Sequence, residues 1–451
     1  MKKRTLIAGL AALAMAAGLA ACSGGGGGGA DANANAKCTN KIVHAKAPKV
    51  TVWAWYPNTQ LVVDNFNKAH SDVQVCWNNV GQGADEYDKF QTAISAKKGA
   101  PDVVMLEADH LANYVIQGAL VDISKYGANK VKKNFSEGAW KDVSVGDAVY
   151  AAPVDGGPMG LIYRKDIFAK YGITTPPKTW DEYAADAQKV KDAGGPLFGD
   201  LGGNVPAVMM ALQIQKGASP FRYDPTKPKE VGIQLDDQAS KDVLDYWAGL
   251  SQKGLVGKQD QFTADYISGV VGGKYATYVS AAWAPGYLTG AGVGKGEDKG
   301  QFAVAPLPQW DLKNPVSVNW GGSAFAVTTQ AKDKKLSAEV ALGLDADPAS
   351  LENGWKNLVI FPLNQTVLKS QEFADYPLDF FGGQKAYGEV YIPAENGYKG
   401  FTYSPFQVYY YAQLQKQLTA INAGKIGGAA AASALQQDIV KYAKQQGFTV
   451  K

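Results

Sequence analysis

Hydrophobic and polar positions alternate over residues 49–55, and the chain then changes period, with Leu61, Val62, Phe66 and Ala69 recurring at helical spacing across 59–70. A second alternating stretch covers 73–77 and a second helical one 85–98, after which PDVVML at 101–106 reads as a buried strand opened by proline. Strand, helix, strand, helix, strand in this order predicts an α/β lobe with a mostly parallel sheet. Helical spacing resumes over 110–118 and leads into Leu120 and Asp122.

Residues 151–158 (AAPVDGGP) concentrate glycine and proline, which predicts a break in both helix and strand and a crossing from one lobe to another. LIYRKDIF at 161–168 reads as a strand entering a helix, and in PPKTWDEY at 176–183 Thr179 and Glu182 have the spacing of a capping box, with Gly194 and Gly195 stopping that helix. Helices are predicted over 241–249, 264–271 and 334–344, and strands over 274–279, 302–307 and 320–328. The stretch 311–315 reads as a return connection, and 404–423 as a long helix with Ser404 as N-cap, Pro405 in the first turn and Gln407 closing the box.

At 451 residues the chain is long enough for at least one large core, and 46% hydrophobic against 19% charged residues, with 10 Trp, 23 Tyr and 16 Phe, describes an aromatic-rich globular protein. The formal charge of +3 resides in Lys2, Lys3 and Arg4, so the remainder is neutral and lacks the basic excess of a nucleic-acid binder. Beyond that leader the only arginines are Arg164 and Arg222, which leaves few bidentate grips for phosphate or carboxylate. His44, His70 and His110 are scattered, so neither a metal site nor a His-dependent base is expected, and no cofactor is implied. The expected ligand is neutral.

The first residues form a basic segment, an apolar run over 6–19, and then Ala20, Ala21 and Cys22. This predicts a signal peptide at 1–21, the apolar run being shorter than the roughly 20 residues of a transmembrane helix. Leu19, Ala20, Ala21 and Cys22 resemble the bacterial lipoprotein box, which implies a lipidated Cys22 and a body held at the outer face of the bacterial cell membrane. Residues 22–47, with a run of glycines and then Ala and Asn, are expected to be a flexible tether. Cys38 and Cys76 are then an even pair in an oxidising compartment and are expected to form a disulfide, two unpaired thiols being the alternative.

From residue 50 onward the order of motifs resembles the solute-binding proteins of carbohydrate ABC transporters, the maltose-binding-protein-like group. The resemblance rests on VTVWAWYPN (50–58), APDVVMLEAD (100–109), QGALVDIS (117–124), the run from YAAPVDGG to PPKTWDEY (150–183), GGKYATYVSAAW (272–283) and WGGSAFAV (320–327). It implies a two-lobe α/β fold with a central hinge, a ligand cleft between the lobes and closure by hinge bending. Lobe one would comprise 48–154 and 318–350, and lobe two 160–312 and 356–451, with crossovers at 155–159, 313–317 and 351–355. It also implies permease subunits as partners, a monomeric receptor and no enzymatic activity.

A sugar receptor needs aromatic platforms and short polar side chains converging from several loops. Trp55, Tyr56 and Asn58 at the end of the first strand are candidates, although alternation turns Trp53 and Trp55 the same way and buries at least one of them. Asp109 and His110 follow the third strand at its carboxyl end, where open α/β sheets hold ligands, and match an acidic and a polar residue of the family's cleft; Asp109 could instead cap a helix. Asp155 either bonds a hydroxyl or braces the hinge glycines, and Asp200 and Asn204 lie in a glycine-rich loop. Trp283 stands where the family places a stacking aromatic, and Trp320 precedes Gly321 and Gly322, which permit close backbone approach. Tyr403, Phe406, Tyr409, Tyr410 and Tyr411 read mostly as core, since three adjacent tyrosines on a helix cannot share one face, with one of the cluster at most expected to reach the sugar.

The expected ligand is a neutral di- or oligosaccharide. The competing classes are an exported glycoside hydrolase, which needs two carboxyls about 5 to 9.5 Å apart, and a carbohydrate-binding surface protein, which would favour β-sandwich repeats over βα alternation. No nucleophile elbow or metal triad stands in the sequence.

Overall fold

The computed structural model describes residues 38–56, 58–224, 227–346, 348–351, 356 and 360–451. The signal peptide, Cys22, the tether as far as residue 37 and positions 352–355 of the expected third crossover lie outside the described residues. Among the described residues no helix is long and apolar enough to cross a membrane.

The main sheet grows from the parallel strands Lys49–Trp53, Gln74–Asn78 and Val103–Glu107, with Lys49–Trp53 in the middle. Helices Thr59–Ala69 and Ala84–Ser95 make the crossovers, which is the βαβ logic of the sequence pattern. Beyond Val103–Glu107 the sheet turns antiparallel: Asn319–Val327 pairs there and then against Ala151–Arg164. The parallel character expected of the whole lobe is therefore confined to its first three strands.

Ala151–Arg164 is one continuous strand of 14 residues, where the glycines and prolines predicted a break. Its first half pairs with Asn319–Val327 and its second half with Thr277–Ala281 and Phe302–Pro306, so one strand serves both lobes. Pro153 and Pro158 fit because the pairing with Asn319–Val327 shifts register between Asn319 and Gly322 and again between Ser323 and Ala324, so the ladder does not require every proline position to donate. Gly157 lies so close to the Trp320 carbonyl that a Cβ would stand 1.8 Å from it, and only glycine permits the two crossing strands to touch.

The return crossing is made by this second strand at residues 319–322, not at the expected 313–317. Those residues stay with the second lobe, where the Val316 amide donates to Gln309 Oε1 at 2.8 Å. A third passage runs beside the first, with the Gly156 amide donating to the Phe361 carbonyl at 2.9 Å and Asp155 bridged to Pro362. Asp155 is thus flanked by both other crossings.

Each lobe has its own core. One cluster gathers Val52, Phe66, Phe90, Val104, Leu106, Phe325 and Leu344, and a second gathers Trp180, Tyr183, Phe198, Trp247, Leu414 and Leu435. A third, around Tyr266, Tyr278, Phe361 and Tyr391, fills the second lobe beside the hinge. The capping box of Thr179 and Glu182 starts helix Trp180–Asp192 as its spacing requires. The long C-terminal helix begins later than expected, as Gln407–Asn422: the Gln407 side chain accepts from the Ser404 amide at 2.9 Å, as a closing residue should, but the Ser404 hydroxyl accepts from the Phe406 amide at 3.1 Å, which makes a turn before the helix.

Residues 38–44 are stitched onto the edge strand Gln74–Asn78. Asn40 donates to the Val75 carbonyl at 2.8 Å and accepts from the Trp77 amide at 2.7 Å, while Gln74 Oε1 receives the amides of Val43 and His44. A disulfide joins Cys38 to Cys76, with Cα atoms 5.0 Å apart.

Candidate ligand-binding cleft

The strand ends of the first lobe deliver a compact polar and aromatic group. Trp55 is half-buried and meets Tyr87 edge-on at 5.6 Å, and Tyr87 stacks on His110 at 4.3 Å. The Tyr87 hydroxyl donates to Glu107 Oε2 at 2.8 Å and accepts from the Glu107 amide at 3.1 Å, which fixes the ring. His110 Nδ1 lies 2.6 Å from Asp109 Oδ1. Burial opposes a charge on His110, but the Asp109 carboxylate, its hydrogen bond and Glu107 outweigh this and raise the imidazole pKa. Burial, reinforced by Asp109, raises that of Glu107. The donor atoms of Glu107, Asp109 and His110 lie within 4.8 Å of one another, close enough to share a cation, but all three are already engaged by Tyr87 or by each other.

The second lobe reaches this group through helix Gln407–Asn422, which packs on helix Ala108–Ile116 and brings Tyr411 close enough to Asp109 for the carboxylate to help raise the phenol's pKa, burial being the larger cause. Beside it, Asp142 of the first lobe accepts from the Tyr398 hydroxyl at 2.8 Å and the Phe401 amide at 3.0 Å. Ser136 donates to Glu395 at 2.6 Å across the same boundary. Burial pushes both Asp142 and Glu395 up to about 7. Next to these contacts lies a cavity of about 620 Å³ walled by both lobes, with Ala108, Trp140 and Asp142 on one side and Tyr223, Phe401 and Tyr403 on the other.

On the second lobe four rings form an aromatic wall at the hinge edge. Trp283 and Trp320 meet at 4.8 Å, the Trp283 indole N–H donates to the Trp320 carbonyl at 2.8 Å, and Phe262 and Tyr287 complete the group. Asp200 and Asn204 both serve the loop before Phe262. Asn204 exchanges two hydrogen bonds with the Gln261 backbone at 2.8 and 2.9 Å, and Asp200 accepts from the Gln261 side chain at 3.3 Å. Burial pushes Asp200 up to about 7.

Two candidates, Tyr56 and Asn58, stand elsewhere than expected, and Asp155 takes the bracing role of the two expected for it. Tyr56 is 4% exposed, with its ring 6.3 Å from Phe325 and its hydroxyl turned toward Asp345 and Asp155, because the strand ends at Trp53 and its alternation does not carry through to Tyr56. Asn58 is exposed with φ +61 and starts helix Thr59–Ala69, a backbone conformation that asparagine tolerates. Asp155 braces the hinge, its Oδ1 accepting the Ser323 amide at 2.9 Å and the Ser323 hydroxyl, and burial pushes it up to about 6. Sequence reasoning passed over Tyr87, Gln261 and Phe262, whose local sequences carry no motif, and left Tyr411 among the core tyrosines.

Residues 56–343 match the family model of bacterial extracellular solute-binding proteins. The arabinooligosaccharide-binding protein of Bacillus subtilis is 23% identical over 70% of this chain and 72% of its own length. The lactose-binding protein of Rhizobium radiobacter is 24% identical over 78% and 84%. Among solved structures, the ABC-transporter-associated binding protein of Bifidobacterium animalis subsp. lactis in complex with β-1,6-galactobiose superposes with a TM-score of 0.76 at 27% identity, covering 90% of this chain and 100% of that one. The two-lobe α/β architecture, the triple crossing between lobes and the match over most of the body agree: the chain belongs to the bacterial extracellular solute-binding proteins.

Proposed function

We propose that this protein is the saccharide-capturing component of an ABC importer, taking a neutral di- or oligosaccharide between its lobes and handing it to permease subunits. The observation that supports this reading is the cavity of about 620 Å³ walled by both lobes, with Ala108, Trp140 and Asp142 on one side and Tyr223, Phe401 and Tyr403 on the other. The first lobe offers Asp109, His110 and Trp55, while the second offers Tyr411 and the wall that contains Trp283 and Trp320. Carboxylate and imidazole grip hydroxyls, and rings cover the apolar C–H faces of a pyranose. The ligands named for the lactose- and arabinooligosaccharide-binding relatives and for the galactobiose complex support the same class.

Asp200 and Asn204 act by positioning the second-lobe loop, and Asp155 by holding the hinge. Tethering through a lipidated Cys22 to the outer face of the cell membrane completes the proposal, with the lipid the sole membrane contact and the body a monomer. Family members are solute-binding proteins rather than enzymes, and Glu107 and Asp109 are bonded to Tyr87 and His110 rather than poised across an open bond.

Calorimetry of the purified protein against lactose, β-1,6-galactobiose, maltotriose and arabinotriose is expected to show one-to-one binding of at least one of them, recovered intact by chromatography. Asp109→Ala should weaken that binding by about 10- to 100-fold, the loss expected for charge-assisted hydrogen bonds. Cleavage of the sugar in proportion to protein dose, or binding to none of the four, would overturn the reading.

A further inference from the structure

Where the strands cross between the lobes they enclose a small polar cavity that saccharide binding does not use. It measures about 10 Å³, room for one sphere the size of a water molecule or a metal ion. Its polar walls are Asp142, Asp155, Asn319 and Ser323, with the backbone of Gly321 and Gly322 between them. Asp142 ends helix Glu137–Asp142 of the first lobe, Asp155 lies on strand Ala151–Arg164, and the other four lie on the return strand Asn319–Val327. At Gly322 φ is +106 and a Cβ would stand 3.1 Å from the Asp155 carbonyl, so glycine lets the return strand come close enough to complete the wall.

The side-chain donors around this space are oxygens, and no positive group balances them. Among the described residues neither Asp142 nor Asp155 enters an ion pair, and the adjacent Lys141 turns its ammonium to the Gly400 carbonyl at 3.2 Å. Asn319 is 6% exposed. Its amide nitrogen donates to Glu395 Oε2 at 3.4 Å, outside the cavity wall, and its Oδ1, on the opposite branch, is buried with no hydrogen-bond partner. Asp142 is held by the Tyr398 hydroxyl and the Phe401 amide, and Asp155 by the Ser323 amide and hydroxyl, which fixes both carboxylates and leaves each further acceptor capacity.

We propose that this cavity is a calcium site that ties Asp142 of the first lobe to both crossing strands and stiffens the hinge. Buried carboxylates are paired with a cation or bind a metal, and an oxygen-only donor set suits a hard cation rather than zinc. Magnesium keeps several of its waters, for which the cavity has no room, whereas calcium accepts an irregular oxygen shell. Two carboxylates match the charge of one divalent ion. The site stands whichever sugar the cleft takes.

The test is equilibrium dialysis of the purified protein, first stripped with EDTA, against calcium chloride and separately magnesium chloride at constant ionic strength, with the melting temperature followed in parallel and no sugar present. Wild type should take up one calcium per chain with a Kd of roughly 10⁻⁴ to 10⁻³ M, the range of extracellular calcium modules. Its melting temperature should rise by roughly 3 to 6 °C at ten times that Kd, and less with magnesium. Asp142→Asn and Asn319→Leu each remove a ligand at similar volume and should weaken calcium uptake at least about tenfold; the melting temperature in EDTA shows which variant is folded, and wild-type stoichiometry together with either folded variant decides the question. No uptake by wild type would leave the cavity to a water molecule and overturn the proposal. Uptake unchanged in a folded variant would place the ion at another cluster, and an equal response to magnesium would remove the calcium assignment.

Discussion

Replacing Cys38 and Cys76 together by alanine is expected to lower the unfolding free energy of the first lobe by about 4 kcal/mol, the chain-entropy value for a closed loop of this length. The bridge spans 38 residues and ties the stitched segment before the first strand to the buried edge strand Gln74–Asn78, so the loop it closes holds two paired strands and the helix between them. Without it, that segment keeps, among the described residues, the hydrogen bonds of Thr39, Asn40, His44 and Gln74, each worth about 1 kcal/mol. The edge of the parallel sheet would then be free to open. Urea unfolding followed by hydrogen exchange should show the loss concentrated in the strands at 49–53 and 74–78, with the second-lobe core around Trp180 and Trp247 unaffected. A loss under about 1 kcal/mol would mean that the unfolded chain is already compact around this loop.

The elements legible in the sequence were those whose causes are local. Helical spacing places the helices of residues 49–120 because each faces a core on one side, the strands there stand out as short apolar runs buried on both faces, and Thr179 and Glu182 declare their helix start within four residues. The strand Ala151–Arg164 was not legible: its prolines forbid a strand by local rules, and only the register shifts opposite, in a partner more than 160 residues further on, make room for them. The site divides in the same way. Asp109 and His110 could be singled out as candidates from their place after a strand, whereas Tyr411 comes near Asp109 from a helix about 300 residues away. Asn204 and Asp200 drew notice as polar residues among glycines, but their role depends on Gln261, which carries no motif. Trp55 and Tyr56 show the limit most closely. Where the strand stops decides which of two adjacent rings stays half-buried beside Tyr87 and which fills a core, and that end is set by pairing, with the Ala54 carbonyl taken by the Trp77 indole at 2.9 Å.

Glu86 should make the protein lose stability as pH rises, and replacing it should reverse the loss. This side chain sits in the first turn of helix Ala84–Ser95 on the face that carries Phe90 toward the core, is fully buried, and neither of its carboxylate oxygens has a hydrogen-bond partner among the described residues. Burial pushes its pKa from the ordinary 4.5 up to about 9, with Lys89 only partly offsetting the effect. The folded chain therefore holds the proton across a range in which the unfolded chain has released it. Stability contributed at this position is greatest below the unfolded pKa, declines between about pH 4.5 and 9, and is level above that. At 1.36 kcal/mol for each unit, the cost at pH 7 is at most about 3 kcal/mol. Glu86→Met fills a similar volume without a group that ionises, so it should be more stable than wild type at pH 8, and the gap should close toward pH 4.5. Other buried carboxyls, Asp345 and Asp142 among them, titrate alike in both proteins, and the difference between the two stability curves isolates Glu86. Denaturant unfolding of the pair across that range is the measurement. A difference that stays constant with pH would show that the carboxyl at 86 is ionised in the folded protein, with a partner or solvent that lets it keep its charge.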